Sequence, residues 1–271
     1  MIGAPALAAL GALRAGAGLA RLVMPRPVLD AGLVLCPSAT GWALPVDEHG
    51  DLVAHGAVEA FDRVRRESDA VVIGPGMGDG PGVEAVCLRA VQDEERPVIV
   101  DADAINALSR IPELARDLRA SAVLTPHPGE FRRLAGVLSI REDPAEERAR
   151  ERAAGELARR LGCVVVLKGA GTVVSDGYRS WVCARGHACL ATAGTGDVLA
   201  GVIGGLAAQW CRGDEKGRMS LFDAARVGVE AHASAGEAWA AREGASAGLL
   251  AMELAGLMPP CLEALRGAGR A

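Results

Sequence analysis

The segment with the clearest chemistry is a run of small residues that leads into an apolar helix, Thr-Ala-Gly-Thr-Gly-Asp-Val-Leu-Ala-Gly at 192–201. The backbone N–H groups of Gly194, Thr195, Gly196 and Asp197 can converge on an anion there, where the helix dipole favours negative charge. A carboxylate at Asp197 could then take a proton from a hydroxyl that attacks phosphorus. Capping of the helix by Asp197 is the alternative, and the Gly-Thr-Gly run favours the anion hole.

A lysine stands at the end of an apolar strand, in the segment Lys168-Gly169-Ala170-Gly171-Thr172. An ammonium group buried at such a position is costly unless a phosphate or an acidic side chain receives it. The alternative is a lysine whose charged end reaches solvent. The glycines of this turn allow a ligand to approach the backbone closely.

A glycine-rich turn, Gly-Pro-Gly-Met-Gly at 74–78, follows the strand at 70–73. It matches neither the dinucleotide pattern G-x-G-x-x-G nor the phosphate loop G-x-x-x-x-G-K-[ST]. A structural turn and a binding site are therefore equally consistent with it.

Three more polar groups follow predicted strands. Asp101 lies at a strand end, where open α/β sheets bind ligands, and we predict that Asp103 caps the next helix. His127 lies between two prolines that stiffen its loop, which favours a substrate contact over the structural role usual for a lone histidine. The charge of Glu130 suits the start of the following helix.

Strands and helices alternate along most of the chain, which predicts a mostly parallel sheet covered on both faces. The predicted strands are 19–24, 70–73, 97–101, 122–125 and 163–168, and the predicted helices between them are 3–17, 57–66, 83–92, 130–135 and 144–161. Asp-Gly between the β-rich runs 172–175 and 178–183 predicts an antiparallel hairpin. Three helices at 196–210, 221–240 and 247–265 follow, with a polar loop at 212–216. Glycines inside the first of these three predict close helix packing.

Composition excludes several classes of protein. Half of the 271 residues are hydrophobic, so the chain can fill a large core and is not disordered. The net charge of -5 and the lack of a basic stripe argue against a nucleic-acid partner. The seven scattered cysteines predict reduced thiols in the cytoplasm. The apolar run at 2–13 predicts a core helix rather than a signal peptide, and no stretch predicts a membrane span.

Five segments, GPGMG, VDADAIN, LTPHPGE, LKGAGT and AGTGDVLAG, stand in one order that resembles the ADP- or ATP-dependent NAD(P)H-hydrate dehydratases. TPHPGE is specific to that family, whereas GTGD is shared with ribokinase-like kinases such as hydroxyethylthiazole kinase. The resemblance covers essentially the whole chain. It implies a ribokinase-like three-layer α/β/α fold with a mostly parallel sheet and an antiparallel hairpin, and a homo-oligomer, either a dimer or a tetramer.

The resemblance also implies a reaction. Such enzymes phosphorylate the ring hydroxyl of hydrated NADH or NADPH (the S epimer) with ADP or ATP and Mg²⁺. Phosphate then leaves and the dihydronicotinamide is restored. Bacterial members generally use ADP. The implied reaction repairs a damaged cofactor. None of the five segments needs a tightly bound transition metal, so the sequence predicts no metal site of that kind.

Site residues follow from the matching motifs. Asp197 would be the base, and it would also contact the hydrated dinucleotide. The implied anion hole is Gly194, Thr195 and Gly196, with Gly196 also near the nucleotide. The implied nucleotide-binding residues are Lys168, Gly169, Ala170, Gly171 and Thr172. The remaining implied substrate contacts are Ala4, Gly76, Gly78 and His127.

Two departures from the family pattern bear on activity. Ala193 replaces a glycine that usually precedes Gly-Thr-Gly-Asp. A glycine-rich strand and a Gly-Ser loop usually precede the first helix, so we expect one domain over residues 1–271 that lacks the family's first strand and has no epimerase domain. The alternatives to a dehydratase are a ribokinase-like small-molecule kinase and an inactive truncation that only binds nucleotides.

Overall fold

The computed structural model describes residues 1–211 and 218–268. A two-stranded sheet pairs β1 with β2 in parallel, and a six-stranded sheet has the order β3-β4-β5-β6-β7-β8. The strands are β1 (Arg21–Pro25), β2 (Thr40–Leu44), β3 (Val71–Ile73), β4 (Val98–Val100), β5 (Ala122–Leu124), β6 (Val164–Leu167), β7 (Val173–Ser175) and β8 (Ser180–Val182). Strands β3 to β6 are parallel, whereas β7 and β8 run antiparallel to their neighbours. The predicted parallel sheet and hairpin are both confirmed.

Eleven α-helices surround these sheets within the described residues. They are α1 (Gly3–Arg14), α2 (Arg26–Leu35), α3 (Ala54–Arg66), α4 (Pro81–Val91), α5 (Ala102–Leu108), α6 (Leu114–Asp117), α7 (Pro128–Leu138), α8 (Arg150–Leu161), α9 (Thr195–Trp210), α10 (Leu221–Glu243) and α11 (Ala251–Ala268). Short 3₁₀ helices lie at Glu147–Ala149 and Ala188–Leu190.

Strands β4 to β7 of the six-stranded sheet are buried on both faces. Successive side chains of a strand point to opposite sides, so each strand contributes to two cores. Val164 and Val166 of β6 join a core with α9, α10 and α11. Val165 and Leu167 join a second core with helices that include α3, α4, α5, α7 and α8. The result is the expected three-layer α/β/α arrangement.

Helix α1 lies against α9 at a spacing that only glycine permits. A Cβ atom on Gly201 would overlap the carbonyl oxygen of Ala8, and one on Gly205 would lie 2.6 Å from that of Ala12. The apolar run near the chain start is therefore a packed helix, and the glycines inside α9 serve close packing, as predicted.

Several boundaries differ from those predicted. Helix α2 and strand β2 were not predicted, because residues 26–44 show neither a clear helical nor a clear alternating pattern. The helix predicted from residue 144 begins at Arg150, after a 3₁₀ turn. The polar loop predicted at 212–216 lies outside the described residues.

The structure also bears on two further predictions from the sequence, one about the cysteines and one about membrane spans. All seven cysteines are free thiols, and all but Cys261 are buried. Among the described helices, none combines the length and apolar character that crossing a bilayer requires.

Candidate active site

Four polar or glycine residues directly follow the four parallel strands. Gly74 follows β3, Asp101 follows β4, Thr125 follows β5 and Lys168 follows β6. Because parallel strands end at one edge of a sheet, the topology places all four residues along that edge.

The Lys168 ammonium group has an acidic partner. Its Nζ donates to Oδ1 of Asp101 over 2.6 Å, and the Thr125 hydroxyl donates to the same oxygen over 2.6 Å. Asp101 is 1% exposed, and the side chain of Lys168 is 19% exposed. A lysine that reaches into solvent is therefore the wrong interpretation.

The first turn of α9 lies beside this lysine. A Cβ atom on Gly196 would be 3.5 Å from Lys168 Nζ, so the ammonium group lies against the Gly196 backbone. Gly194 is the N-cap residue with φ of 90°, and a Cβ there would lie 2.7 Å from Leu7 Cδ1. Conformation and space both require glycine at this position.

Backbone donors at the start of α9 are available to an anion. In the part of the chain that is described, the N–H groups of Gly194, Gly196 and Asp197 form no hydrogen bond, and that of Thr195 donates weakly to Thr192 over 3.4 Å. Since Gly194 is the N-cap residue, the alternative that Asp197 caps this helix is wrong.

Asp197 combines this position with an altered acidity. Burial, reinforced by the negative charge of Asp101 and opposed by Lys168, raises the pKa of Asp197 from 3.8 to about 6. A carboxyl group with that pKa is ionised near neutral pH but holds a proton better than an ordinary aspartate. Such a group suits general-base catalysis.

His127 and Glu130 form a capping box at the start of α7. His127 Nδ1 accepts from the N–H of Gly129 over 2.9 Å, and Glu130 Oε2 accepts from the N–H of His127 over 2.8 Å. The imidazole is half exposed and its Nε2 lies 3.2 Å from Glu130 Oε1. The structure thus gives His127 a capping role, and its substrate contact stays a prediction.

Glu130 has a second role besides its favourable interaction with the helix dipole. It is 5% exposed, and its Oε2 lies 3.9 Å from Lys168 Nζ. Burial raises the pKa of Glu130 above its ordinary value, and the charge of Lys168 opposes that rise. Lys168 therefore stands between two buried carboxyl groups.

The prediction that Asp103 caps α5 is wrong. Asp101 occupies the N-cap position, and Asp103 Oδ2 instead accepts from the N–H of Gly78 over 2.8 Å. Asp103 therefore holds the glycine-rich turn. Gly76 of that turn lies against α1, because a Cβ there would be 3.2 Å from Ala4 Cβ.

One residue that sequence reasoning missed supports the first turn of α9. His232 of α10 is partly buried, and its Nε2 lies 2.9 Å from the carbonyl oxygen of Thr195. Burial lowers the pKa of His232 to about 4, so the neutral ring donates to that carbonyl. Nothing around it in the sequence, an Ala-rich helix, marks this role.

These elements together have the arrangement of ribokinase-like proteins. Residues 1–260 match the family model described as NAD(P)H-hydrate dehydratase. The chain belongs to the NAD(P)H-hydrate dehydratase family.

Individual relatives are similar over nearly the whole chain. The bifunctional NAD(P)H-hydrate repair enzyme Nnr of Thermofilum pendens is 38% identical, over 98% of this chain and 48% of its own length. The chain thus spans about half the length of that curated relative. The ADP-dependent (S)-NAD(P)H-hydrate dehydratase of Xanthomonas campestris pv. campestris is 36% identical, over 97% of this chain and 84% of its own length.

A solved structure agrees with these matches. The ADP/ATP-dependent NAD(P)H-hydrate dehydratase of Bacillus subtilis, co-crystallised with ATP/Mg²⁺ and soaked with CoA, is 30% identical with a TM-score of 0.74. The alignment covers 97% of this chain and 87% of that one.

Proposed function

We propose that this chain dehydrates hydrated NADH and NADPH, of the S epimer, at the expense of ADP or ATP. The observation that carries the proposal is the Asp197 carboxyl group, with a pKa of about 6, at the free N–H groups that begin α9. Lys168 adds a positive charge at the same place. A base, an anion hole and a cation are the parts that phosphoryl transfer to a hydroxyl requires.

The proposed reaction has two stages. Asp197 takes the proton of the ring hydroxyl while that oxygen forms a bond to the terminal phosphorus, and the bond from phosphorus to the rest of the nucleotide breaks. The ring nitrogen then donates its lone pair, the C–O bond breaks and phosphate leaves. Loss of a proton from the neighbouring ring carbon restores the dihydronicotinamide.

The residues around Asp197 suggest where each of the two substrates binds. We assign the nucleotide to the loop Lys168–Thr172 and Gly196, because Lys168 Nζ lies against Gly196. We assign the hydrated dinucleotide to the opposite side, where Ala4 and Gly76 touch and Gly78 is held by Asp103. We assign His127 to the same substrate, because half of its side chain is exposed and so open to contact.

Mg²⁺ fits this site as a companion of the nucleotide. No three His, Cys, Asp or Glu side chains among the described residues converge on a metal position. Mg²⁺ commonly binds through substrate phosphates with only one or two carboxylates, and Asp101 is near enough for its charge to act on Asp197. The ion would neutralise charge on the phosphates during transfer.

We also propose a dimer or a tetramer. Val34 of α2 is 78% exposed, and Leu35 and Trp42 nearby in the chain are also exposed. Apolar side chains gathered on one part of a surface often mark an interface. Light scattering on the purified protein would give the mass of the particle, and a monomer would contradict the proposal.

A cytoplasmic location is the last part of the proposal. Seven free thiols suit a reducing compartment. Labelling of thiols in intact cells and in lysates would test it, since a secreted protein with this many cysteines would form disulfides.

The test of the function compares products. Hydrated NADH, Mg²⁺ and either ADP or ATP should yield reduced cofactor and inorganic phosphate in equal amounts. A stable phosphorylated hydrate would instead support a small-molecule kinase. Nucleotide binding without any product would support an inactive member of the family.

A further inference from the structure

We propose that Arg150 is a positioning residue of the nucleotide site, which it shapes from behind the loop Lys168–Thr172. This inference rests on the proposed function, because it takes that loop to bind the nucleotide. Arg150 begins α8, and only 8% of it is exposed. It lies in a charge-dense stretch of the sequence, 141–152, of the kind that usually faces solvent, yet its side chain is buried.

The Arg150 guanidinium group donates to four backbone carbonyl oxygens. Nη2 donates to Leu167 over 3.0 Å and to Lys168 over 3.2 Å, and Nε donates to Gly171 over 3.4 Å. Nη1 donates to Pro144 over 2.8 Å. Three of the four acceptors therefore belong to the end of β6 and the loop that follows it, 17–21 residues along the chain from Arg150.

This guanidinium has no carboxylate partner among the described side chains. Burial alone lowers the pKa of Arg150 below its ordinary value, without an opposing acidic group. A buried cation without an acid is expensive for stability. Its positive charge is solvated by carbonyl dipoles and is not neutralised by a carboxylate, so it adds to the attraction of phosphate from directly behind the loop.

Gly169 lets the loop lie flat on the guanidinium. Its φ is 141°, and a Cβ there would be 3.1 Å from Nη2 and 3.5 Å from Cζ of Arg150. A side chain at Gly169 would therefore push the two apart. Close packing of the loop against Arg150 therefore requires glycine at position 169.

The hydrogen bonds from Arg150 to the loop carbonyls act as a clamp, and this clamp determines which way the loop N–H groups point. In a trans peptide the carbonyl and the following N–H point in opposite directions. Because Arg150 holds the carbonyls of Lys168 and Gly171, the N–H groups of Gly169 and Thr172 face away from it. Within the described part of the chain, the N–H groups of residues 169–171 form no hydrogen bond. They are free donors for an anionic or polar nucleotide group.

Arg150→Lys removes the clamp but keeps the charge, because a single ammonium group cannot span four separated carbonyls. We expect Mg²⁺–ADP and Mg²⁺–ATP to bind about 10–100-fold more weakly, since small misplacement of binding groups has effects of that size. The KM for hydrated NADH should change less than twofold. Arg152→Lys is the matched control, because Arg152 is exposed on the same helix and its one side-chain hydrogen bond among the described residues goes to the Arg148 carbonyl.

Calorimetric titration with Mg²⁺–ADP and Mg²⁺–ATP, well below the melting temperature of each variant, tests this inference. Gly169→Ala is a second variant that displaces the guanidinium without removing it, and it should weaken nucleotide binding similarly. Wild-type affinity in either folded variant would overturn the role of Arg150 and leave the proposed function intact. Failure of the wild-type protein to bind either nucleotide would instead contradict the proposed function.

Discussion

Replacement of Asp197 by asparagine should make the protein more stable while removing most of its turnover. The folded protein holds the Asp197 proton more tightly than the unfolded chain does, since the pKa rises from 3.8 to about 6. The ionised carboxylate therefore destabilises the fold above about pH 6, and the effect fades as the pH falls towards 4. The full difference corresponds to about 3 kcal/mol.

Asparagine resembles the neutral form, so it should recover part of that free energy. Because Asp197 is not fully buried, water screens its charge, and we expect a gain of about 1–2 kcal/mol at pH 8. The melting temperature should rise by about 2–6 °C. Turnover should fall about 10²–10⁴-fold, the usual contribution of a general base.

Urea unfolding at about pH 8 and about pH 4.5 measures the gain. Asp30→Asn is the matched control, because Asp30 is exposed on α2 and its replacement should leave stability unchanged. A gain equal at both pH values, or no gain at pH 8, would refute the argument from burial. Retained turnover would refute the role of Asp197 as the base.

Three further predictions follow from the same geometry. The acid limb of kcat/KM should titrate near pH 6, because protonated Asp197 cannot accept the substrate proton; an apparent pKa near 4 in a pH–rate profile would contradict this. Lys168→Met should destabilise the protein by about 3–5 kcal/mol in urea unfolding, because buried Asp101 loses its partner, and adding Asp101→Asn should restore most of the loss. Gly201→Ala should destabilise by about 1–3 kcal/mol or more through overlap with α1, whereas Gly256→Ala, whose Cβ meets nothing, should stabilise by up to about 1 kcal/mol in thermal unfolding.

Local patterns in the sequence predicted the elements that hold the site. The apolar runs that become β3 to β6, and the Asp-Gly hairpin, carry strong short-range preferences, and the structure contains them all. The rule that parallel strands end at one edge was enough to place Asp101, His127 and Lys168 in one region. The sequence also gave two options for Lys168, and an acidic partner proved correct.

Contacts between distant parts of the chain could not be predicted from the sequence. Arg150 meets its acceptors 17–21 residues away, and His232 meets Thr195 across 37 residues. Asp103 is of a residue type that often caps helices, yet its carboxylate accepts a hydrogen bond from Gly78, 25 residues earlier. Such pairs depend on how whole elements pack, and no spacing within one segment reveals them.

Recovery of reduced cofactor from hydrated NADH is the measurement that tests the central claim most directly. With Mg²⁺ and ADP or ATP, the wild-type chain should restore the absorbance of NADH and release one phosphate for each molecule repaired. Asp197→Asn should bind nucleotide but restore almost none. Repair that proceeds without nucleotide, or no repair by a wild-type chain that binds both substrates, would contradict the claim.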